Sequence, residues 1–443
     1  MLLGDDGVWM AQARRLRQIV NHYFVTNQHL EMKKTLCLVI LSVYLLSCDN
    51  NVDPKKAPYF EVSIDPSYLT TQSTDWVLLH DKKGSFIDMK NFESGQTIVF
   101  DTIAGVPINE FVVTILNFIP SDQGDNFQIA SYYYEDSGQK WKLTRPSNIF
   151  QGAQSGDLDV TIEDPNLGWN ADLSQKIDVG LRAAPIRVEN KITFQASVFP
   201  AFKDIMLFAT DKAGVLYYKF IKDVNPGTLN FSLKDFSTFD KMVDIYFPET
   251  DESSFLLYGY EDGMDFIPNF NGYKANAFFE GMYDGLLRTS YKAAYLSRFN
   301  KYYSVLMAYY GSTRLTHEAF GRIPESIIIP NDFNTSIQES SFLNFRLTDN
   351  KFDWMKSDWS LYEANQNGRY FSASWSIYTP SGDLPRLEWP KQLIEKYPKF
   401  NYPMQHSTTT LYKNGKTLDE LISETFKGET EEQNYIQLSK RIL

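Results

Sequence analysis

Trp169 stands beside Gly168 in a polar stretch, QSGDLDVTIEDPNLGW, where a strand leaves through Asp164-Pro165-Asn166 into a loop. A flat indole held in solvent stacks on ligands, sugar rings among them, whereas one that folds back plugs the end of a sheet. Trp354, Trp359 and Trp375 pose the same choice. With Trp389 they place half of the chain's 8 tryptophans in one short region, which is either a carbohydrate-binding face or an aromatic core. Trp169, Trp354, Trp359 and Trp375 are therefore the candidate ligand-binding residues.

Residues suited to acid–base or metal chemistry are dispersed. His80, His317 and His406 lie far apart, and His317-Glu318 lacks the second histidine of a zinc-protease helix. Neither a phosphate-binding glycine loop nor a G-x-S-x-G elbow occurs. The acidic pairs Glu135-Asp136 and Glu261-Asp262 each follow a tyrosine and precede glycine-containing turns, so they suit hairpin chemistry better than catalysis. Ser121 to Asn126 crowds oxygen donors without EF-hand spacing and reads as a surface loop. No metal and no cofactor is expected, and the expected role is non-catalytic. A glycoside hydrolase, with two carboxylates hidden among many, is the enzyme alternative.

The elements that must position these residues are strands. Ile192, Phe194, Ala196 and Val198 alternate with polar residues, and Phe111 to Phe118 is a β-branched and aromatic run. Asp75 to Gly84, an apolar strand ending in D-K-x-G, is echoed by Asp204 to Gly214. The echo continues in order: Gln96–Phe100 with Gly227–Phe231, Phe111–Pro120 with Met242–Pro248, and the approach to Tyr134 with that to Tyr260. A repeat of about 130 residues implies repeated domains. The fold class expected is mainly β, tandem Ig-like β-sandwich domains with few helices. The divisions are 59–195 for the first sandwich, 196–326 for the second, and 327–443 for a third, mostly-β region. In the second, 276–310 mixes periods: Phe278, Met282, Leu286 and Tyr291, Tyr295, Phe299 suit helical faces, while Tyr302–Tyr310 suits a strand. In the third, strands are expected over Ser341–Leu347, Tyr370–Thr379 and Thr408–Tyr412, and a short helix after Pro390. Lys416 to Leu443 is expected to be an amphipathic helix with Leu418, Leu421, Ile422 and Phe426 on one face.

Upstream, MKKTLCLVILSVYLLSC runs from Met32 to Cys48. Lys33 and Lys34 precede an apolar run of about eleven residues, the order of a secretory leader and too short for a span of roughly 20. Its end, Leu45-Leu46-Ser47-Cys48, resembles the lipobox of bacterial lipoproteins. The resemblance implies cleavage before Cys48, lipid on its thiol, and attachment to a membrane through acyl chains. On this reading residues 32–47 are the signal peptide and 48–58 a lipidated tether. Residues 1–31 are expected to be an overlong translation start, a real cytoplasmic extension being the alternative. The acidic and amide residues Asp49-Asn50-Asn51-Val52-Asp53 resemble surface-export signals of lipoproteins in the Bacteroidota, and the layout resembles multi-domain β-sandwich lipoproteins of that group. This implies the outer membrane and its cell-surface side, with the periplasmic face as the alternative.

Charge narrows the partners. With 43 Lys+Arg against 55 Asp+Glu the net charge is −12, which argues against nucleic acid, whose phosphates are met by Lys and Arg. The 2 cysteines, Cys37 and Cys48, belong to the leader and its end, so the mature chain offers no disulfide. The expectation is a membrane-anchored, non-catalytic binding or envelope-assembly module whose partner is an extracellular glycan or an envelope protein. A fimbrial or adhesin-type subunit, taking a neighbour's strand at an open edge, is the structural alternative.

Overall fold

Alternating runs do become strands in the computed structural model. It describes residues 59–68, 74–101, 110–134, 138–144, 155–175, 185–199, 203–261, 273–278, 289–322, 326–328, 334–364, 368–384, 386–427 and 435–442. Cys48, the leader, the tether and the extension before them lie outside the described residues. Phe111–Ser121 and Lys191–Val198 are strands, and Ile192, Phe194, Ala196 and Val198 all turn inward. Burying such side chains contributes about 1.5–3 kcal/mol each, which is what binds a period-two sequence to a sheet. The fold is mostly β, built from packed sheets with two α-helices among the described residues.

The repeat is real at its turns and diverges beyond them. At Asp81 the carboxylate accepts the N–H groups of Lys83 and Ser85, both at 2.8 Å. Asp211 accepts those of Ala213 at 2.9 Å and Val215 at 2.8 Å. Gly84 and Gly214 close the two turns at φ +90° and +82°, a conformation that favours glycine. The neighbours then differ. Thr74–Asp81 pairs with Phe86–Phe92 and Phe111–Ser121, but Ile205–Asp211 pairs with Leu216–Ile221 and Leu167–Gln175. The strand Leu167–Gln175 thus takes the place expected for Met242–Pro248, and Lys241–Tyr246 pairs with Ser290–Tyr295 instead. That pairing also resolves 290–295 as strand rather than helix.

One sandwich faces the sheet Ile186–Val188, Lys191–Val198, Gly156–Glu163, Gly227–Phe231 with the sheet Ser237–Thr238, Leu216–Ile221, Ile205–Asp211, Leu167–Gln175. Leu158, Phe194 and Leu207 fill the space between them. The boundary expected at 195/196 falls inside Lys191–Val198, a strand of this sandwich.

Among the described residues the largest sheet has 12 strands and draws on all three expected regions. Its order is Tyr273–Phe278, Glu252–Tyr260, Lys301–Tyr310, Thr313–Gly321, Tyr435–Ile442, Gln405–Lys413, then Trp354–Ala364, Tyr370–Thr379, Gly124–Tyr134, Phe111–Ser121, Thr74–Asp81, Phe86–Phe92. The third region therefore supplies the middle of the sheet, and Pro58–Leu443 is one compact unit. Tyr370–Thr379 joins Gly124–Tyr134 in parallel.

Helix α1 (Lys391–Lys396) follows Pro390 as expected. Helix α2 (Leu418–Lys427) carries Leu418, Ile422 and Phe426 inward. Its start is fixed by a capping box: Thr417 Oγ1 accepts the Glu420 N–H at 3.2 Å, and Glu420 accepts the Thr417 N–H at 2.7 Å. Two expectations need correction. The terminal helix does not reach the end of the chain, because Tyr435–Ile442 is a strand paired on both sides. Leu438 and Ile442 are four apart, a spacing that serves a helix face and a strand face equally. Ser341–Leu347 is a covering loop with strand only at Arg346–Leu347; Phe342 and Phe345 fold down onto Trp359.

Candidate functional site: an open cleft beside Trp169

Trp169 lies on the strand Leu167–Gln175, not in a loop, and 82% of its surface faces solvent. Close backbone approach holds that strand end. A Cβ on Gly168 would come within 2.3 Å of the Asp211 carbonyl oxygen, so only glycine fits there. Thr210 Oγ1 accepts the Asn170 N–H at 3.2 Å, beside a register shift between Ala209 and Asp211.

Arg187, on the short edge strand Ile186–Val188, fixes the ring. Its guanidinium carbon sits 4.3 Å from the Trp169 ring centroid, and its N–H groups donate to the carbonyls of Gly168 and Trp169. A cation–π contact at an exposed site contributes about 0.5–1 kcal/mol. The indole is thus held outward at one face by a cation whose two terminal nitrogens are engaged with backbone.

Around this platform opens a cleft of about 750 Å³. Asn170, Glu189, Asn190, Lys212 and Asp244 supply its polar lining, with Leu216 and Tyr291 at its apolar parts. The Tyr291 hydroxyl is engaged inward, donating to the Ser253 carbonyl at 2.8 Å. Asp211 is likewise committed: besides closing its turn, it accepts the Tyr217 hydroxyl at 3.2 Å. Glu189 holds φ +48°, a left-handed conformation that costs a non-glycine residue about 1–3 kcal/mol and that clusters at functional sites. An exposed ring beside the Asn170 and Asn190 carboxamides can stack a pyranose and hydrogen-bond its edge.

Of the tryptophans named from the sequence, only Trp169 reaches this cleft. Trp354, Trp359 and Trp375 are 3%, 1% and 1% exposed, so they form core rather than a ligand face. Their alternation decides it. Trp359 and Trp375 are cross-strand partners on the face that carries Met355, Leu361, Phe371 and Ile377. Trp354 stacks on Tyr412 with centroids 3.7 Å apart, and its indole N–H donates to the Lys416 carbonyl at 2.7 Å. Arg187, Glu189 and Asn190 were not singled out from the sequence. The one local signal is the Glu189-Asn190 turn within IRVENKI, which brings an edge strand back alongside Trp169.

Ser121–Gly124 forms a tight hairpin, with Ser121 Oγ accepting the Gly124 N–H at 3.1 Å. Glu261 is held by Arg298, whose Nε donates to it at 2.7 Å; Glu135, Asp136 and Asp262 lie outside the described residues. Among the described residues no group of three or more His, Cys, Asp and Glu side chains could hold a metal ion.

Among the described histidines, His80 and His317 are interior and His406 is half-buried. Burial pushes His80 and His317 each down to about 4 from an ordinary value of 6.5. His80 Nε2 lies 3.1 Å from the Glu388 carbonyl oxygen, which can only accept, so that nitrogen carries the proton. The unfolded chain takes up protons near pH 6.5 and the folded chain only near pH 4. Stability is therefore complete above about pH 6.5 and falls as pH drops towards 4, by about 3 kcal/mol per histidine. The urea midpoint should fall steeply between pH 6.5 and 4.5, and His317→Leu should roughly halve that dependence; an unchanged slope would contradict this placement.

A comparison with protein-family models and with curated protein sequences finds no match for this chain.

Proposed function

We propose that the protein is a lipid-anchored, non-catalytic glycan-binding module of a bacterial cell surface, tethered through Cys48 and binding through the Trp169 cleft. The observation that carries the reading is the indole, 82% exposed and braced by Arg187 at the rim of a polar cleft. An apolar ring of that size left in water loses the burial that would otherwise stabilise the fold, and stacking on a sugar recovers it. The LLSC sequence supports the anchor.

The test is binding of the mature full chain to a glycan array, beside Trp169→Ala. Trp169→Ala should lower affinity for the recognised glycan at least tenfold while leaving the melting temperature within about 2 °C, since the ring packs on little. Equal binding by both proteins would refute the cleft. In cells, Cys48→Ala should move the protein from the membrane to the soluble fraction, and unaltered partitioning would refute the anchor.

A further inference from the structure

The face of the large sheet opposite the Trp359–Trp375 core is divided along its strands. Over one half, helix α2 and the strands bearing Phe60 and Trp141 pack on Val113, Ile115 and Tyr132. Past that cover the same face continues into solvent. There Gln128 on Gly124–Tyr134 is level with Ser374 on Tyr370–Thr379, which is level with Ser360 on Trp354–Ala364. All three are exposed. Ser360 Oγ lies 3.1 Å from Ser407 Oγ on the next strand, so hydroxyls and one carboxamide form a row across four strands spaced about 4.8 Å apart. One step along the strands lies Ser372, which donates to Asn126 at 2.9 Å, and beside it Tyr362, 68% exposed. Tyr362 stacks with Tyr370 at 5.8 Å between centroids.

Solvent faces of sheets ordinarily carry long charged side chains and threonine or valine. Here the outward positions are small hydroxyls and carboxamides, giving a level floor with an aromatic pair at its end. At its border stands Asp358, whose charge is met by Lys356 at 3.0 Å and by the Ser376 hydroxyl at 2.6 Å.

We propose that this floor binds an extended, uncharged polysaccharide chain laid across the strands, with a sugar ring on the Tyr362–Tyr370 pair and its hydroxyls bridging Gln128, Ser374 and Ser360. Flatness selects an extended chain over a compact ligand. Neutrality follows from charge, because the protein's net charge of −12 disfavours an acidic polymer. The floor and the Trp169 cleft lie on different sheets, and neither argument depends on the other.

Affinity electrophoresis of the mature full chain in gels containing soluble β-glucan, mannan or galactan, with alginate as the acidic comparison, tests this. At least one neutral polymer should retard the protein and alginate should not. Tyr362→Ala and Ser374→Glu, both on exposed positions, should each weaken retardation at least tenfold at unchanged melting temperature, whereas Trp169→Ala should retain it. Retardation that survives both floor variants, that is lost only with Trp169→Ala, or that alginate matches would overturn the proposal. So would absence of retardation by every neutral polymer.

Discussion

A chain ending at residue 434 should fail to fold cooperatively. Tyr435–Ile442 is hydrogen-bonded to Thr313–Gly321 on one side and to Gln405–Lys413 on the other, so its removal breaks the large sheet in the middle and bares two edges. Leu438 and Ile442 leave the core, at about 1.5–3 kcal/mol each, and each lost ladder bond costs about 1 kcal/mol. The total is of the order of a domain's whole net stability, about 5–15 kcal/mol. Size-exclusion chromatography should show aggregate, since unpaired edges pair with other chains, and thermal melting should lose its sharp transition. A synthetic peptide of residues 435–442 in excess should restore monomer by filling the gap. A truncated chain that stays monomeric and melts within a few degrees of the full one would show that the strand is dispensable.

Trp375→Ala should be the most damaging single substitution on the large sheet, lowering stability by about 3–5 kcal/mol. The ring is 1% exposed and touches both Phe342 and Trp389. Its indole N–H donates to Ser131 Oγ at 2.9 Å, and Ser131 Oγ lies 2.8 Å from Thr114 Oγ1. Alanine would open a cavity and also leave a buried hydroxyl pair short of a donor. Trp375→Phe keeps most of the volume and loses the donor, so it should fall between the two. Urea denaturation of the three proteins gives the ranking. A Trp375→Ala protein as stable as the parent but unable to bind glycan would restore this residue to the ligand face.

Strand positions were legible wherever one face is apolar. Tyr370–Thr379 can be read off YFSASWSIYT to the residue, and the hairpins at Asp81 and Asp211 follow from D-K-x-G. Pairing was not legible. Nothing local to Leu167–Gln175 says that it, rather than Met242–Pro248, will lie against Ile205–Asp211, because register between distant strands is decided by which faces are left to cover. The tryptophans show the same limit. Alternation already placed Trp359 and Trp375 in step with Leu361 and Phe371, which is a core pattern, while their density suggested a binding face. Trp169 was legible as a candidate by its polar surroundings, but its brace, Arg187, is 18 residues away and meets it only through the fold.

The parallel pairing of Gly124–Tyr134 with Tyr370–Thr379 bears on how the chain is made. Ser372 and Asn126 meet across 246 residues of sequence, so the N-terminal strands wait with one edge open until most of the polypeptide has been delivered. Contacts of such high order slow folding towards the millisecond-to-second range, and intermediates with open edges aggregate. Escort by a holding chaperone during synthesis should therefore raise the yield of native protein, more than it would for beads that close one at a time.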